Sequence, residues 1–206
     1  MEDVLEVYKK PYDPLRPVVC VDETNRQLIG EVTPPIPMIP GTPQIYDYEY
    51  VRNGVANIFM MFEPLAARRY TAVTDTRTKI DFANCLRSLS DKHYPHAEKI
   101  VIVMDNLNTH NLSSLYEAFA PHEARRLAER FEIHYTPKHG SWLNMAEIEI
   151  GVMSRQCLKY RIPSKEEMAY QVKAWTCSRN SANLSVDWQF TTDDARIKLK
   201  RLYPKI

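Results

Sequence analysis

Two unbroken apolar runs organise this chain, PVVCVD (17–22) and KIVIVMD (99–105), each closed by an aspartate. Short runs without polar alternation predict strands buried on both faces, here at Val18–Asp22 and Lys99–Asp105. Val55–Phe62 and Arg69–Thr74 predict two further strands. Tyr46, Tyr48 and Tyr50 alternate with Asp47 and Glu49, which predicts a period-two strand with one aromatic and one acidic face. Asn53-Gly54 reads as a hairpin turn leading into Val55–Phe62. Residues 23–44 are predicted irregular, with five prolines between Pro34 and Pro43, and a loop of that length in a compact domain is usually functional or mobile.

Helical spacing takes over in the second half. Ile80, Ala83, Leu86 and Leu89 predict a helix over Thr78–Tyr94. Short helices are expected at Ser113–Phe119 and Pro121–Arg130, then a strand at Glu132–Tyr135 and a loop through TPKHGSW. Leu143–Tyr160 is a predicted helix with Leu143, Ala146, Ile150, Met153 and Cys157 on its apolar stripe. Ser164-Lys-Glu-Glu167 reads as a capping box opening a helix to about Arg179, and Thr191 or Thr192 caps a last helix at Asp193–Tyr203. Residues 1–8 resemble a helix fragment broken by PYDPLRP. Antiparallel strands first, then strands alternating with helices, predict an α/β fold: a mixed sheet covered on both faces.

At 206 residues and 44% hydrophobic content the chain can bury one core without staples. No apolar run approaches the ~18 residues of a membrane span, and no membrane partner is expected. Cys20, Cys85, Cys157 and Cys177 form no CxxC pair, so neither zinc nor a disulfide framework is predicted and a cytosolic, reduced protein is. The five glycines form no phosphate-cradling loop, which excludes P-loop and dinucleotide enzymes. The net charge of +1 conceals an asymmetry: residues 1–150 hold 16 Lys and Arg against 21 Asp and Glu, residues 151–206 hold 11 against 5. An acidic half needs divalent cations before a phosphate backbone can approach. The basic end either meets that backbone or is a solvated helical face.

Asp22 and Asp105 close buried strands, and Glu147 lies near the start of the helix after a loop. Carboxylates of this kind can hold Mg²⁺ for phosphodiester chemistry. A carboxylate ending an apolar strand is solvated at a cleft, bonded as a cap or bound to a cation; Asp105 could instead close an Asx turn within DNLNTH. Glu147 and Glu149 flank the apolar stripe on opposite sides, and spacing does not choose between them.

The blocks VCVDE, VMDNLNTH, HYTPKHGSWLNMAEIE and DWQFTTDDARIKLKRLYP together resemble the catalytic domain of bacterial insertion-sequence transposases of the mariner-related superfamily, the DDE endonucleases. The resemblance runs from about Pro17 to Pro204. It implies a ribonuclease-H-like sheet, antiparallel in its first three strands and then parallel, over 17–206. Residues 1–16 are then an interdomain linker remnant, and the Pro-rich segment at about 23–50 is an insertion. It implies Asp22, Asp105 and Glu147 as catalytic and metal-binding residues for two Mg²⁺ ions, with Mn²⁺ as a substitute. Asp22 bridges the ions in this reading. Asn106, His110, His139, Asn144, Lys138 and Arg155 are candidates for orienting the carboxylates or contacting DNA. Their bland alternatives are caps, loop histidines and surface charges, as for Lys159 and Arg161. Trp142, Trp175 and Trp188 are expected core aromatics, Trp142 possessing a second reading as a base-stacking surface.

The resemblance further implies DNA partners, namely transposon ends and a TA target, and a homodimer in the bacterial cytoplasm, associated with the nucleoid. The segment at 23–50 is then either a dimerisation arm or a rigid lid. The family's helix-turn-helix modules are expected elsewhere than in this chain, by a split reading frame, trimming or decay. Two alternatives stand beside the transposase: another ribonuclease-H-like nuclease, and a catalytically idle interaction remnant.

Overall fold

The structure, a computed structural model, describes residues 1–107, 110–138 and 140–203. Its centre is a five-stranded sheet: β1 (Val18–Glu31), β2 (Tyr50–Glu63), β3 (Arg68–Thr74), β4 (Ile100–Met104) and β5 (Phe131–Tyr135), in the spatial order β3-β2-β1-β4-β5. β1 pairs antiparallel with β2, and β2 with β3; β4 runs parallel to both β1 and β5. The mixed sheet expected from the order of elements is present.

Period-two geometry explains the two cores. Successive strand side chains point to opposite faces, so Val18, Cys20, Val101, Val103, Ile58, Met60 and Phe62 go to one side. Val19, Val21, Ile100, Ile102, Met104, Phe59 and Met61 go to the other. The first face is covered by α1 (Glu2–Tyr8), α5 (Met145–Gln156), α6 (Lys165–Ser181) and α7 (Thr192–Lys198). The second is covered by α2 (Lys79–Ser88), α3 (Ser113–Ala118) and α4 (Pro121–Ala128). Strands covered on both sides gain nothing from polar alternation, which is why β4 reads as a plain apolar run.

Several expectations are corrected. β1 does not stop at Asp22 but continues to Glu31, so the irregular segment is 32–49. Asn53-Gly54 makes no hairpin. It lies inside β2, where the register slips between Gln27 and Ile29 and Gly54 has φ +99°. Two residues of β2 oppose Leu28, a β-bulge that uses the glycine's left-handed freedom. Tyr46 and Tyr48 lie outside the sheet, Tyr48 fully in solvent, because β1 ends opposite Tyr50 and leaves them no strand to pair with. The segment forms instead a small hairpin, with bridges Ile36–Ile45 and Ile39–Thr42 closed by a Pro40-Gly41 turn. The helix fragment read at residues 1–8 is present as α1, and it buries Val4, Leu5 and Val7 in the first core. Ser164 caps α6 through Glu167 N, but Glu167 turns to Gln171 rather than completing the box.

Candidate functional site: a carboxylate cleft at the strand ends

The parallel pairing sets the first two acids side by side. Val18, Val19 and Cys20 are in register with Val101, Ile102 and Val103. Asp22 and Asp105 each follow two residues later, Asp22 within β1 and Asp105 just beyond the end of β4, close enough for Asp105 to act on the charge of Asp22. By alternation Asp22 shares the face of Cys20, the side on which α5 packs. Asp105 opens a cleft of about 530 Å³ lined also by Asn106, Leu107, Thr136, Pro137, Lys138 and Ser141.

Asn144 brings the third acid to this place. It is fully buried and caps α5, its Oδ1 accepting from Ala146 N. Its Nδ2 donates to Val21 O at 2.9 Å and reaches Asp22 Oδ2 at 3.4 Å. One amide therefore ties the start of α5 to β1 at Val21 and Asp22, and sets Glu147, in the first turn, near Asp22. Glu147 keeps partial exposure.

Glu149 has another fate. Its carboxylate is buried between Arg69 Nε at 2.6 Å and Arg179 NH2 at 2.9 Å. Burial alone would raise its pKa, but hydrogen bonds from both arginines outweigh that and hold it below its ordinary value. Arg69, itself fully buried, also donates to Ala67 O and lies over the Phe62 ring. This network anchors α5 to β3 and α6. Packing thus decides between the two glutamates that spacing left equal.

The electrostatics record the crowding of negative charge. Asp22 is pushed up to about 7, first by burial and then by Asp105, Glu23 and Glu147; a hydrogen bond from Glu23 N opposes the rise. Among the described residues no three His, Cys, Asp or Glu side chains close around a single point to hold a metal ion. Two-carboxylate sharing does not require such a cage, because Mg²⁺ is commonly held by one or two carboxylates plus substrate phosphates and water. The donors are hard oxygens, and their mutual repulsion is what a divalent cation relieves. The residues fit the ion.

His110 is no ordinary loop histidine. Its ring is fully buried, packed 4.9 Å from Phe82, with Nδ1 hydrogen-bonded to Asp105 Oδ1 and Nε2 2.6 Å from Glu23 Oε2. The latter contact is an ion pair without hydrogen-bond alignment, and both atoms lack any other partner among the described residues. Burial disfavours the charged ring, yet the two carboxylates override it and hold the imidazole at about 9. Asp105 Oδ1 also accepts a long bond from Leu107 N at 3.4 Å, the expected Asx turn in weak form.

Glu23 was missed by sequence reasoning. Its signal was parity: an acid two residues beyond Val21, on the face of Val19 and Val21, points into the second core. Asn106 and Lys138 are exposed and line the cleft, whereas Arg155 is exposed two turns beyond Glu147. Arg161, a phosphate-contact candidate, instead pairs with Glu31 and donates to Asp47 O and Glu49 O, fastening segment 32–49. Lys159 lies over the Tyr160 ring. His139 lies outside the described residues. Trp175 is core as expected, but Trp142 is 42% exposed, propped on Trp188 and Phe190.

Residues 17–169 match the family model of the DDE superfamily endonuclease. No curated protein matches the chain at a significant level. Among solved structures, the Mos1 mariner paired end complex with Mn is similar at TM-score 0.57 and 16% identity, over 87% of this chain and 54% of that one. The Mos1 transposase paired-end complex with left transposon end gives 0.56 and 15%, over 88% and 56%. The Mos1 strand transfer complex gives 0.57 and 14%, over 85% and 51%. The chain spans about half the length of these neighbours, and at such identities they show its ribonuclease-H-like fold. A sequence matched by that family model over three quarters of its length, folded on this mixed sheet, makes the chain a member of the DDE superfamily endonucleases.

Proposed function

We propose that this chain is the catalytic domain of a DNA transposase. It hydrolyses phosphodiesters at transposon ends and transfers the resulting 3′-OH into target DNA, at a TA dinucleotide. The observation that carries the reading is the grouping of Asp22 on β1, Asp105 just beyond β4 and Glu147 at the start of α5, moored to β1 through Asn144. Asp22, Asp105 and Glu147 would hold two Mg²⁺ ions, or Mn²⁺ in their place. When bound, the ions activate the attacking oxygen and stabilise the leaving one.

The protein's own groups do the positioning. Asn144 keeps Glu147 and Asp22 at a fixed separation, since its amide bonds both the strand and the helix start. Lys138 supplies positive charge on the cleft rim for a DNA phosphate, and Asn106 a polar amide beside Asp105. The apolar hairpin at 32–49, with Ile36, Met38, Ile39 and Ile45 exposed, offers a surface for a second copy. Paired-end complexes among the structural neighbours support a homodimer.

The test is nicking of supercoiled DNA by the purified chain in Mg²⁺ or Mn²⁺. Asp22→Ala, Asp105→Asn and Glu147→Gln should each abolish it with the fold retained. Full activity in any one of them removes that residue from the site. Joining of a labelled 3′-OH end to target DNA distinguishes a transposase from a simple nuclease of the same fold.

A further inference from the structure

We infer that Glu23 and His110 form a positioning clamp that fixes the Asp105 carboxylate for metal binding, an assignment that rests on the two-ion reading of the cleft. The sheet's alternation places Asp22 and Glu23 on opposite faces of one strand. Asp22 faces α5, within reach of Asn144, while Glu23 faces the second core beside α2. His110, five residues beyond Asp105, sets its buried ring against that core at Phe82. Its ring then bridges the two levels, with one nitrogen on Asp105 and the other on Glu23.

Every part of the bridge is held. The His110 ring is wholly enclosed and lies against Phe82. Its backbone N–H donates to Leu107 O at 2.9 Å, and its carbonyl accepts from the Tyr135 hydroxyl at 3.1 Å. The Glu23 side chain is 4% exposed, with Arg77 3.8 Å from its other oxygen. Asp105, by contrast, is 29% exposed at its side chain and hangs from the first residue beyond β4. Left alone, such a carboxylate would rotate freely in solvent. The clamp acts on Oδ1 and removes that freedom before any ion arrives.

A buried acid facing an apolar core is costly unless a partner justifies it. Packing alone would be better served by another valine at position 23. Glu23 is explained if its task is to orient the imidazole that orients Asp105, as buried partners of metal ligands commonly do. It is a positioning residue, not a catalytic one.

The experiment is calorimetric titration of Mn²⁺ into the chain and into His110→Phe and Glu23→Gln, with thermal unfolding recorded for each. Both variants should weaken Mn²⁺ binding by about 10–100-fold while remaining folded at the titration temperature. In nicking assays the half-saturating Mn²⁺ concentration should rise by a similar factor, and the rate at saturating Mn²⁺ should stay within about threefold. A merely structural pair would lower the melting temperature and leave Mn²⁺ affinity unchanged, which overturns the inference. If His110→Phe does not fold, Glu23→Gln, which keeps shape and volume, decides alone. A wild-type chain that binds no Mn²⁺ overturns the two-ion reading itself, a result distinguishable from wild-type-like binding in the variants.

Discussion

Neutralising Asp22 should stabilise the metal-free protein while destroying its metal response. The folded carboxyl sits at about 7 against ~3.9 in an unfolded chain. The folded state therefore holds this proton more tightly, and ionisation opposes folding. The penalty is absent below pH ~4, grows as pH rises, and levels off above about 7. A shift of roughly three units at about 1.4 kcal/mol each sets a ceiling of about 4 kcal/mol. Partial solvent access at the cleft reduces this, to an expected gain of about 1–3 kcal/mol for Asp22→Asn at pH 8.5. For a chain of this length that is an increase in melting temperature of about 2–10 °C. Scanning calorimetry in EDTA at pH 5.5 and 8.5 should show the larger gain at the higher pH. Added Mn²⁺ should then raise the wild-type melting temperature and move the variant little, since only the wild type binds the ion in its folded form. If Asp22→Asn is no more stable than wild type in EDTA at pH 8.5, neither burial nor the neighbouring carboxylates penalise ionised Asp22, and the reading of the cleft is wrong.

The two glutamates of α5 should separate cleanly. Glu149→Ala leaves Arg69 buried without its partner and should cost about 3–5 kcal/mol in urea unfolding, whereas Glu147→Gln should change stability by less than about 1 kcal/mol and abolish nicking. Because Glu149 is held below its ordinary value, its contribution is present above pH ~4.3 and is lost as pH falls through the folded value. Acid unfolding followed by circular dichroism should therefore begin at higher pH in Glu149→Gln than in wild type. Arg161→Ala removes the ties to Glu31, Asp47 and Glu49; at about 1–2 kcal/mol, chymotrypsin should cut near Tyr46 and Tyr48 roughly 5–30-fold faster, and an unchanged rate would mean the hairpin is fastened elsewhere.

The sequence by itself determined the mixed sheet and the two aspartates that close its apolar runs. Unbroken valine and isoleucine runs have one stable environment, a strand covered on both faces, and an aspartate at the end of such a run must emerge where the apolar cover stops. The helix cap at Ser164, and that at Thr191 as one of two adjacent candidates, were legible for the same local reason: the groups that satisfy a helix N-terminus lie within three residues of it. What lay beyond the sequence was every choice made by a distant partner. Glu147 and Glu149 are equivalent on a helical wheel, and only Arg69 and Arg179, arriving from β3 and α6, consign one to the core. Asn53-Gly54 is a turn in isolation and a bulge once β1 is extended beside it. Glu23 acquires its partner only in the folded chain, where His110, 87 positions away, meets its carboxylate. Local spacing fixes what a residue can do, but charge neutralisation and strand pairing act through space, and only the folded chain brings those partners within reach.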